Sequence, residues 1–227
     1  MSPLFFGVMV LLMARTDEGP EHRTMAVFGA GLMGFWTVVV FGSAQIFHDM
    51  RRNGTLETLV AAPTAVLTAV LPQALVINLL GLVDLAALAV YARTVLGFPL
   101  LWATDPQSLL ALLVCLLALT GLGVCLSVLF IVARDVYAWT NVLEFPLWIL
   151  SGLAGTQPAL PQPLTAVAGL LPTTWAMDAT RRAVAGESVL LPIGVTALLG
   201  TGYALAAIPL VGYLQDSARK KATLSLV

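Results

Sequence analysis

The sequence predicts an all-α integral membrane protein with six transmembrane helices, on the basis of its composition and of its long apolar runs. Hydrophobic residues make up 59% of the chain and charged residues only 10%, whereas a soluble domain carries roughly 25% charged residues. So few charges cannot cover the surface of a water-soluble protein. The chain contains several uncharged runs that, as helices, are long enough to cross a bilayer. The net charge of −1 provides no basic field for nucleic acid.

The apolar runs define the spans, because a helix that crosses roughly 30 Å of hydrocarbon needs about 20 apolar residues. We expect spans at 2–14, 24–47, 67–91, 107–133, 136–155 and 188–215. The run 2–14 is only about 13 residues long, or near 20 Å of helix. It lacks the basic region and the cleavage site of a signal peptide. We therefore interpret it as a shortened first span, which a start codon assigned too late would explain.

The region 156–187, before the last span, is uncharged in its first part but rich in proline. Prolines this dense break a through-going helix, so we expect a broken or re-entrant segment near one membrane surface. The stretch 174–186 that follows predicts a short interfacial helix, capped by Thr173 or Thr174 and ended by Gly186. Trp175 suits headgroup depth. Charged side chains pair on this helix at helical spacing, Asp178 with Arg181 or Arg182.

Basic residues in short loops set the orientation of a membrane protein. With six spans, one side receives Arg51, Arg52, Arg134, Arg219, Lys220 and Lys221. The other side receives Arg15, Arg23, Arg93, Arg181 and Arg182. The small excess predicts that the first set and both termini are cytoplasmic.

The charged stretch "FHDMRRNGTLETLVAAPTA" then forms a cytoplasmic loop. Asn53-Gly54 is a turn dipeptide, and either residue can cap a helix of about two turns over 54–62. The side chains of Leu56, Leu59 and Val60 would form one apolar stripe on this helix. From local features alone, the segment is either a solvated connector or a helix that docks into a groove on a partner.

Two separated motifs resemble those of the type-2 ABC exporter permeases, a drug-resistance-type family. The first is "RRNGTLETLVAAP". The second, "LWILSGLAGTQPALPQPLTAVAGLLPTTWAMDATRRAV", is similar to the family's signature before its last span. The resemblance covers nearly the whole chain. It implies one transmembrane permease domain over 1–227, with a coupling helix between spans two and three and an outer re-entrant region before span six. Against the family's pattern, we expect the amphipathic helix that usually precedes the first span to be missing or truncated.

This resemblance favours the docking interpretation of the loop. Its coupling residues would be Arg51, Arg52, Gly54, Thr55, Leu56, Glu57, Leu59 and Pro63. The chain contains no Gly-x-x-x-x-Gly-Lys-Ser/Thr phosphate loop. We therefore expect no catalytic residues and no cofactor in this chain, with ATP and magnesium bound by separate ABC ATPase subunits. A second permease copy or paralogue is implied, together with membrane lipid and a location in the plasma membrane.

Ionisable residues at membrane depth are costly and are candidates for function. Asp84 lies in the third span with Asn78, and Glu144 lies in the fifth with Asn141. Each acid is either a hydrogen-bonded structural residue or a contact for substrate in a cavity between subunits. Phe35 and Trp36 are further candidates for a substrate path, although packing is the default. Small residues recur four apart and permit close helix approach: Ala30 and Gly34, Gly121 and Cys125, and Gly200 and Ala204.

Other functional classes fit the residues less well. An intramembrane enzyme needs a nucleophile with a base, or metal ligands, and neither His-Glu-x-x-His nor Gly-x-Ser-x-Gly occurs. Cys115 and Cys125 are interpreted as core residues, so no metal site is expected. A secondary transporter would show two related halves, and the sequence shows no such internal repeat. The leading hypothesis is export of an amphipathic or hydrophobic, drug-like molecule. The alternatives are a lipid or lipid-linked glycan exporter, or a haem-export permease of cytochrome maturation.

Overall fold

The computed structural model describes residues 8–11, 19–55, 66–132, 136–153 and 161–221. Within these ranges the regular secondary structure is entirely helical, which confirms the predicted class. The helices in chain order are α1 (Pro20–Arg52), α2 (Val66–Thr94), α3 (Leu101–Thr104), α4 (Pro106–Val132), α5 (Val136–Leu150), α6 (Gln162–Gly169), α7 (Pro172–Val184) and α8 (Leu190–Lys221).

Four of the described helices are long and apolar enough to cross a membrane: Pro20–Met50, Thr68–Thr94, Pro106–Ser127 and Leu190–Leu210. They correspond to the spans predicted at 24–47, 67–91, 107–133 and 188–215. The helix in the fifth predicted span, α5, ends at Leu150 after 15 residues. Of the first predicted span, only 8–11 fall among the described residues. The count of six spans therefore stays a prediction.

Helix α1 is longer than its predicted span, with 33 residues, or about 50 Å of helix. Pro20 suits its first position, because a proline there needs no backbone N–H donor. Glu21 lies in the first turn, where a carboxylate interacts favourably with the helix dipole. The helix thus exceeds the roughly 30 Å of a hydrocarbon core and extends beyond it.

Helices α1 and α2 pack closely because glycines lie at their crossing. A Cβ atom at Gly42 would come within 2.6 Å of Ile77 Cγ2, and one at Gly81 within 2.7 Å of Phe35 Cδ2. Ala30 and Gly34, the pair favoured by the sequence, are also buried in α1. The glycines of this interface thus leave room for the side chains that they face.

Helices α4 and α8 approach even more closely, backbone to backbone. A Cβ atom at Gly200 would lie 2.6 Å from Ala118 Cα, and one at Gly121 would lie 2.8 Å from the Gly200 carbonyl oxygen. Cys125 Sγ also lies 3.0 Å from the Tyr203 carbonyl oxygen. This confirms the close approach predicted from the small residues of these two helices, which permits extensive van der Waals contact within a membrane.

The core forms around α1, whose side chains are buried along most of its length, including Phe28, Phe35 and Trp36. Helices α2 and α8, by contrast, expose many large apolar side chains, among them Leu79, Val83, Leu198 and Leu205. Such exposure is unusual for a soluble protein but suits helices that face lipid.

The proline-rich region contains two short helices, α6 and α7. The indole Nε1–H of Trp175 on α7 donates a hydrogen bond to the Gly169 carbonyl oxygen at 2.8 Å. The Tyr203 hydroxyl on α8 donates to the Leu170 carbonyl oxygen at 2.7 Å. Tyr203 lies about 20 Å along α8 from Leu190. The junction between α6 and α7 is therefore held at mid-length of the last helix.

The observed ends of α7 agree only in part with the ends predicted from the sequence. The expected cap at Thr173 or Thr174 is wrong, because the N-cap is Leu171 and no side chain caps the helix. Pro172 fixes the first helical position, so both threonines fall inside the first turn. At the other end, Gly186 has a positive φ of 73°, and its N–H donates to Ala183 O. Gly186 therefore ends the helix as predicted.

Candidate functional site: the end of helix α1 and the polar residues between the spans

The predicted coupling segment begins where α1 ends. Asn53 N–H donates to Asp49 O at 2.9 Å, and Gly54 adopts a left-handed φ of 65°. The Thr55 hydroxyl donates back to the Met50 carbonyl oxygen at 3.2 Å. These bonds satisfy carbonyl groups that the helix end leaves free. The backbone thus turns sharply at Asn53-Gly54, as this turn dipeptide predicts.

The arginines of the motif lie at this helix end. Arg52 is the last residue of α1 and is exposed, and the backbone of Arg51 is helical. The remaining residues of the motif lie outside the described residues: Leu56, Glu57, Leu59 and Pro63. The two-turn coupling helix over 54–62 therefore stays a prediction.

A groove lies between α1 and α2 and opens beside the turn. It has a volume of about 740 Å³. Side chains of α1 from Val38 to Asn53 line one side, and side chains of α2 from Pro72 to Leu80 line the other. The groove thus runs from the segment predicted to bind a partner along the open side of the α1–α2 pair.

The candidate Glu144 lies between helices, not in open space. Its side chain is 1% exposed, and its carboxylate accepts a hydrogen bond from the Thr37 hydroxyl of α1. Thr140 and Trp148, four residues away on either side, are also buried, so the three side chains share the inner face of α5. The hydrogen-bonded structural role, one of the two alternatives, is therefore the one that this geometry supports.

The other polar candidates are separate from this contact. Asn78 is buried, and its amide Nδ2 donates to Ala74 O of its own helix at 2.8 Å. Its Oδ1 has no hydrogen-bond partner among the described residues. Asp84 is partly buried on α2, and Asn141 is exposed on α5. The structure thus does not bring these candidates together with Glu144 as one polar site.

The aromatic candidates lie in the packed core. Phe35 and Trp36 are 0% and 2% exposed, and Phe35 fills the space over Gly81. In the described part of the chain the Trp36 indole Nε1 has no hydrogen-bond partner. A packing role accounts for both rings.

Helix α7 carries the predicted ion pair. Arg182 Nε lies 2.8 Å from Asp178 Oδ2, one helical turn away, whereas Arg181 is partly buried. A half-exposed pair of this kind contributes about 0.3–0.5 kcal/mol. It therefore adds modestly to the helix and does not identify a ligand site.

Sequence reasoning missed the contribution of Thr37, Asp49 and Tyr203. Thr37 and Tyr203 form hydrogen bonds to segments that are far away in the chain. Asp49 lines a groove that two helices form together. A polar residue within an otherwise apolar run was the available signal for Thr37 and Tyr203. Among the described residues, no group of three His, Cys, Asp or Glu side chains could hold a metal ion.

Comparison with known families agrees with this architecture. The family model described as ABC-2 type transporter matches residues 1–184, which is most of the chain and ends at the last residue of α7. The chain belongs to the ABC-2 type transporter family, and it is a membrane-spanning permease component. Members of this family normally work with ABC ATPase partners. No curated protein and no solved structure shows a significant match to the chain.

Proposed function

We propose that the chain is the permease subunit of an ATP-driven exporter and that the segment after α1 docks onto a separate ABC ATPase. The permease moves an amphipathic or hydrophobic small molecule out of the cell. The observation that carries this proposal is the sharp end of α1 at Gly54 within a chain of the ABC-2 family.

The geometry of α1 supports a mechanical role. This helix packs against α2 and α4 and contacts α5, so a force at its end reaches the core of the domain directly. Closure of two ATPases would displace the docked segment, and α1 would transmit the movement. The domain would then shift between inward-facing and outward-facing states. Two permease copies would enclose the pathway between them.

Helices α6 and α7 lie on the outer side of the proposed exporter. The Tyr203 bond to Leu170 holds their junction about 20 Å along α8. This position supports a re-entrant hairpin that enters the membrane from the side opposite the Gly54 turn. With the turn in the cytoplasm, both termini are cytoplasmic and the hairpin closes the outer end of the pathway.

The proposal is tested by co-expressing the chain with candidate ABC ATPases from its own genome and purifying through a tag on the permease. We expect one ATPase to co-purify and to hydrolyse ATP faster in lipid with the permease than alone. Glu57→Ala in the predicted docking helix should reduce this stimulation severalfold.

Glu187→Ala is the matched control, because Glu187 is an exposed acid at the other end of the domain, next to Gly186. This variant should stimulate the ATPase like the wild-type chain. The docking proposal is wrong if both variants stimulate equally, or if no ATPase binds the intact permease.

A further inference from the structure

The groove between α1 and α2 has a gradient of polarity along its length. Its apolar part is lined by Val38 on α1 and by Val76, Ile77 and Leu80 on α2. Its mouth, beside the Gly54 turn, adds polar side chains to the apolar Ile46, Met50 and Pro72: Gln45, Asp49, Asn53, Thr55 and Gln73. Val38 and Asp49 are about 16 Å apart along the helix. A molecule with a polar head and an apolar body matches this arrangement.

The ionisable side chain among the described lining residues is acidic. It belongs to Asp49. Its carboxylate has no ion pair with another described residue. Arg52, one turn further on, is exposed and is not part of the described lining. The amide oxygens of Gln45 and Gln73 add further acceptors. A cationic head would be attracted here, and an anionic one would be repelled.

The size of the groove is also that of a ligand site. Its volume of about 740 Å³ lies within the range of roughly 300–1,000 Å³ typical of small-molecule pockets. Gly42 contributes to the floor, where Ile77 occupies the space that a larger side chain would need. The packing that joins the two helices therefore shapes the floor of the groove.

We propose that the α1–α2 groove binds a cationic amphiphile, with its charged head at Asp49 and its apolar body along Val76, Ile77 and Leu80. This deepens the proposed function, on which it rests for the link to transport, because it names the chemical class of molecule admitted from the membrane. Binding itself is measured without any ATPase, so its failure is distinguishable from failure of the docking proposal.

Two probes of nearly identical shape and opposite charge test the proposal, tetraphenylphosphonium and tetraphenylborate. The full-length chain in phosphatidylcholine nanodiscs is titrated with each, and binding is corrected for empty nanodiscs. We expect saturable binding of the phosphonium and at least tenfold weaker binding of the borate. Asp49→Asn should weaken phosphonium binding about tenfold, and Glu187→Gln, at an exposed acid far from the groove, should leave it unchanged.

A second pair of variants separates the contribution of the apolar contact to binding from that of the charge. Val76→Trp fills the groove and should abolish phosphonium binding while Asp49 is intact. Val83→Trp is its control, because Val76 and Val83 are both exposed on α2, at 55% and 65%, but Val83 is not among the described lining residues of the groove. Equal binding of both probes, absence of saturable phosphonium binding, or unchanged binding in both Asp49→Asn and Val76→Trp would overturn the proposal.

Discussion

The Thr37 hydroxyl on α1 contacts the Glu144 carboxylate on α5, and both side chains are buried. Thr37 Oγ1 also lies 3.0 Å from the Met33 carbonyl oxygen of its own helix. A hydroxyl has one hydrogen to donate. The Thr37 hydrogen is therefore shared between two acceptors, the Glu144 carboxylate and the Met33 carbonyl oxygen. This relationship joins two predicted spans at a polar point in an apolar interface.

Removing this contact should destabilise the domain. Thr37→Val leaves the Glu144 carboxyl buried without its partner, which costs about 1–3 kcal/mol, and thermal unfolding in detergent should shift to lower temperature. Glu144→Gln keeps an amide oxygen that accepts from the Thr37 hydroxyl, and it should unfold close to the wild-type temperature. Thr201→Val is the control, because Thr201 is exposed and its described hydrogen bonds lie within α8. A Thr37→Val variant as stable as Thr201→Val would show that the contact carries no stability.

The close crossing of α4 and α8 should not tolerate an added methyl group. Gly200→Ala places a Cβ atom 2.6 Å from Ala118 Cα, and overpacking of this kind costs typically 1–3 kcal/mol. Thermal unfolding measures the loss. Gly202→Ala on the same helix meets nothing within 4 Å and should be neutral or slightly stabilising, since alanine is the better helix former. If the two variants had the same stability, the helices would not be in contact at Gly200.

The α6–α7 hairpin should loosen when its bond to the last helix is lost. Tyr203→Phe removes the hydroxyl that donates to Leu170 O, a bond worth about 0.5–1.5 kcal/mol. Amide hydrogen exchange in 162–184 should therefore become roughly 2- to 12-fold faster. Tyr213→Phe, at a ring that is 72% exposed on the same helix, is the matched control. Unchanged exchange in Tyr203→Phe would contradict the anchoring role.

Much of the local structure could be predicted from the sequence, because its causes are local. Helical spacing predicts that Asp178 pairs with Arg181 or Arg182. The residue types predict that α7 ends at Gly186 and that the chain turns at Asn53-Gly54. The pairs of small residues in α4 and α8 predict helices that approach closely. Apolar length predicts four of the described helices as spans. In each case a few neighbouring residues determine the outcome.

The contacts between distant segments could not be predicted in the same way. Thr37 and Glu144 lie 107 residues apart. The rotation of each helix about its own axis, which decides whether these two side chains meet, depends on how the whole bundle packs. The groove at Asp49 likewise depends on the crossing of two helices. The cap of α7 shows a smaller failure, because proline at the first helical position overrode the threonines that follow it.

The most direct test of the docking account is a cross-link from the end of α1 to an ATPase. Thr55→Cys and Thr104→Cys variants, both at exposed positions, are labelled with a benzophenone maleimide in membranes that contain the co-expressed ATPase. The native cysteines are buried, which limits their labelling. The account predicts a permease–ATPase adduct from position 55 and none from position 104. An adduct from position 104 alone, or the same yield from both positions, would contradict docking at the Gly54 turn.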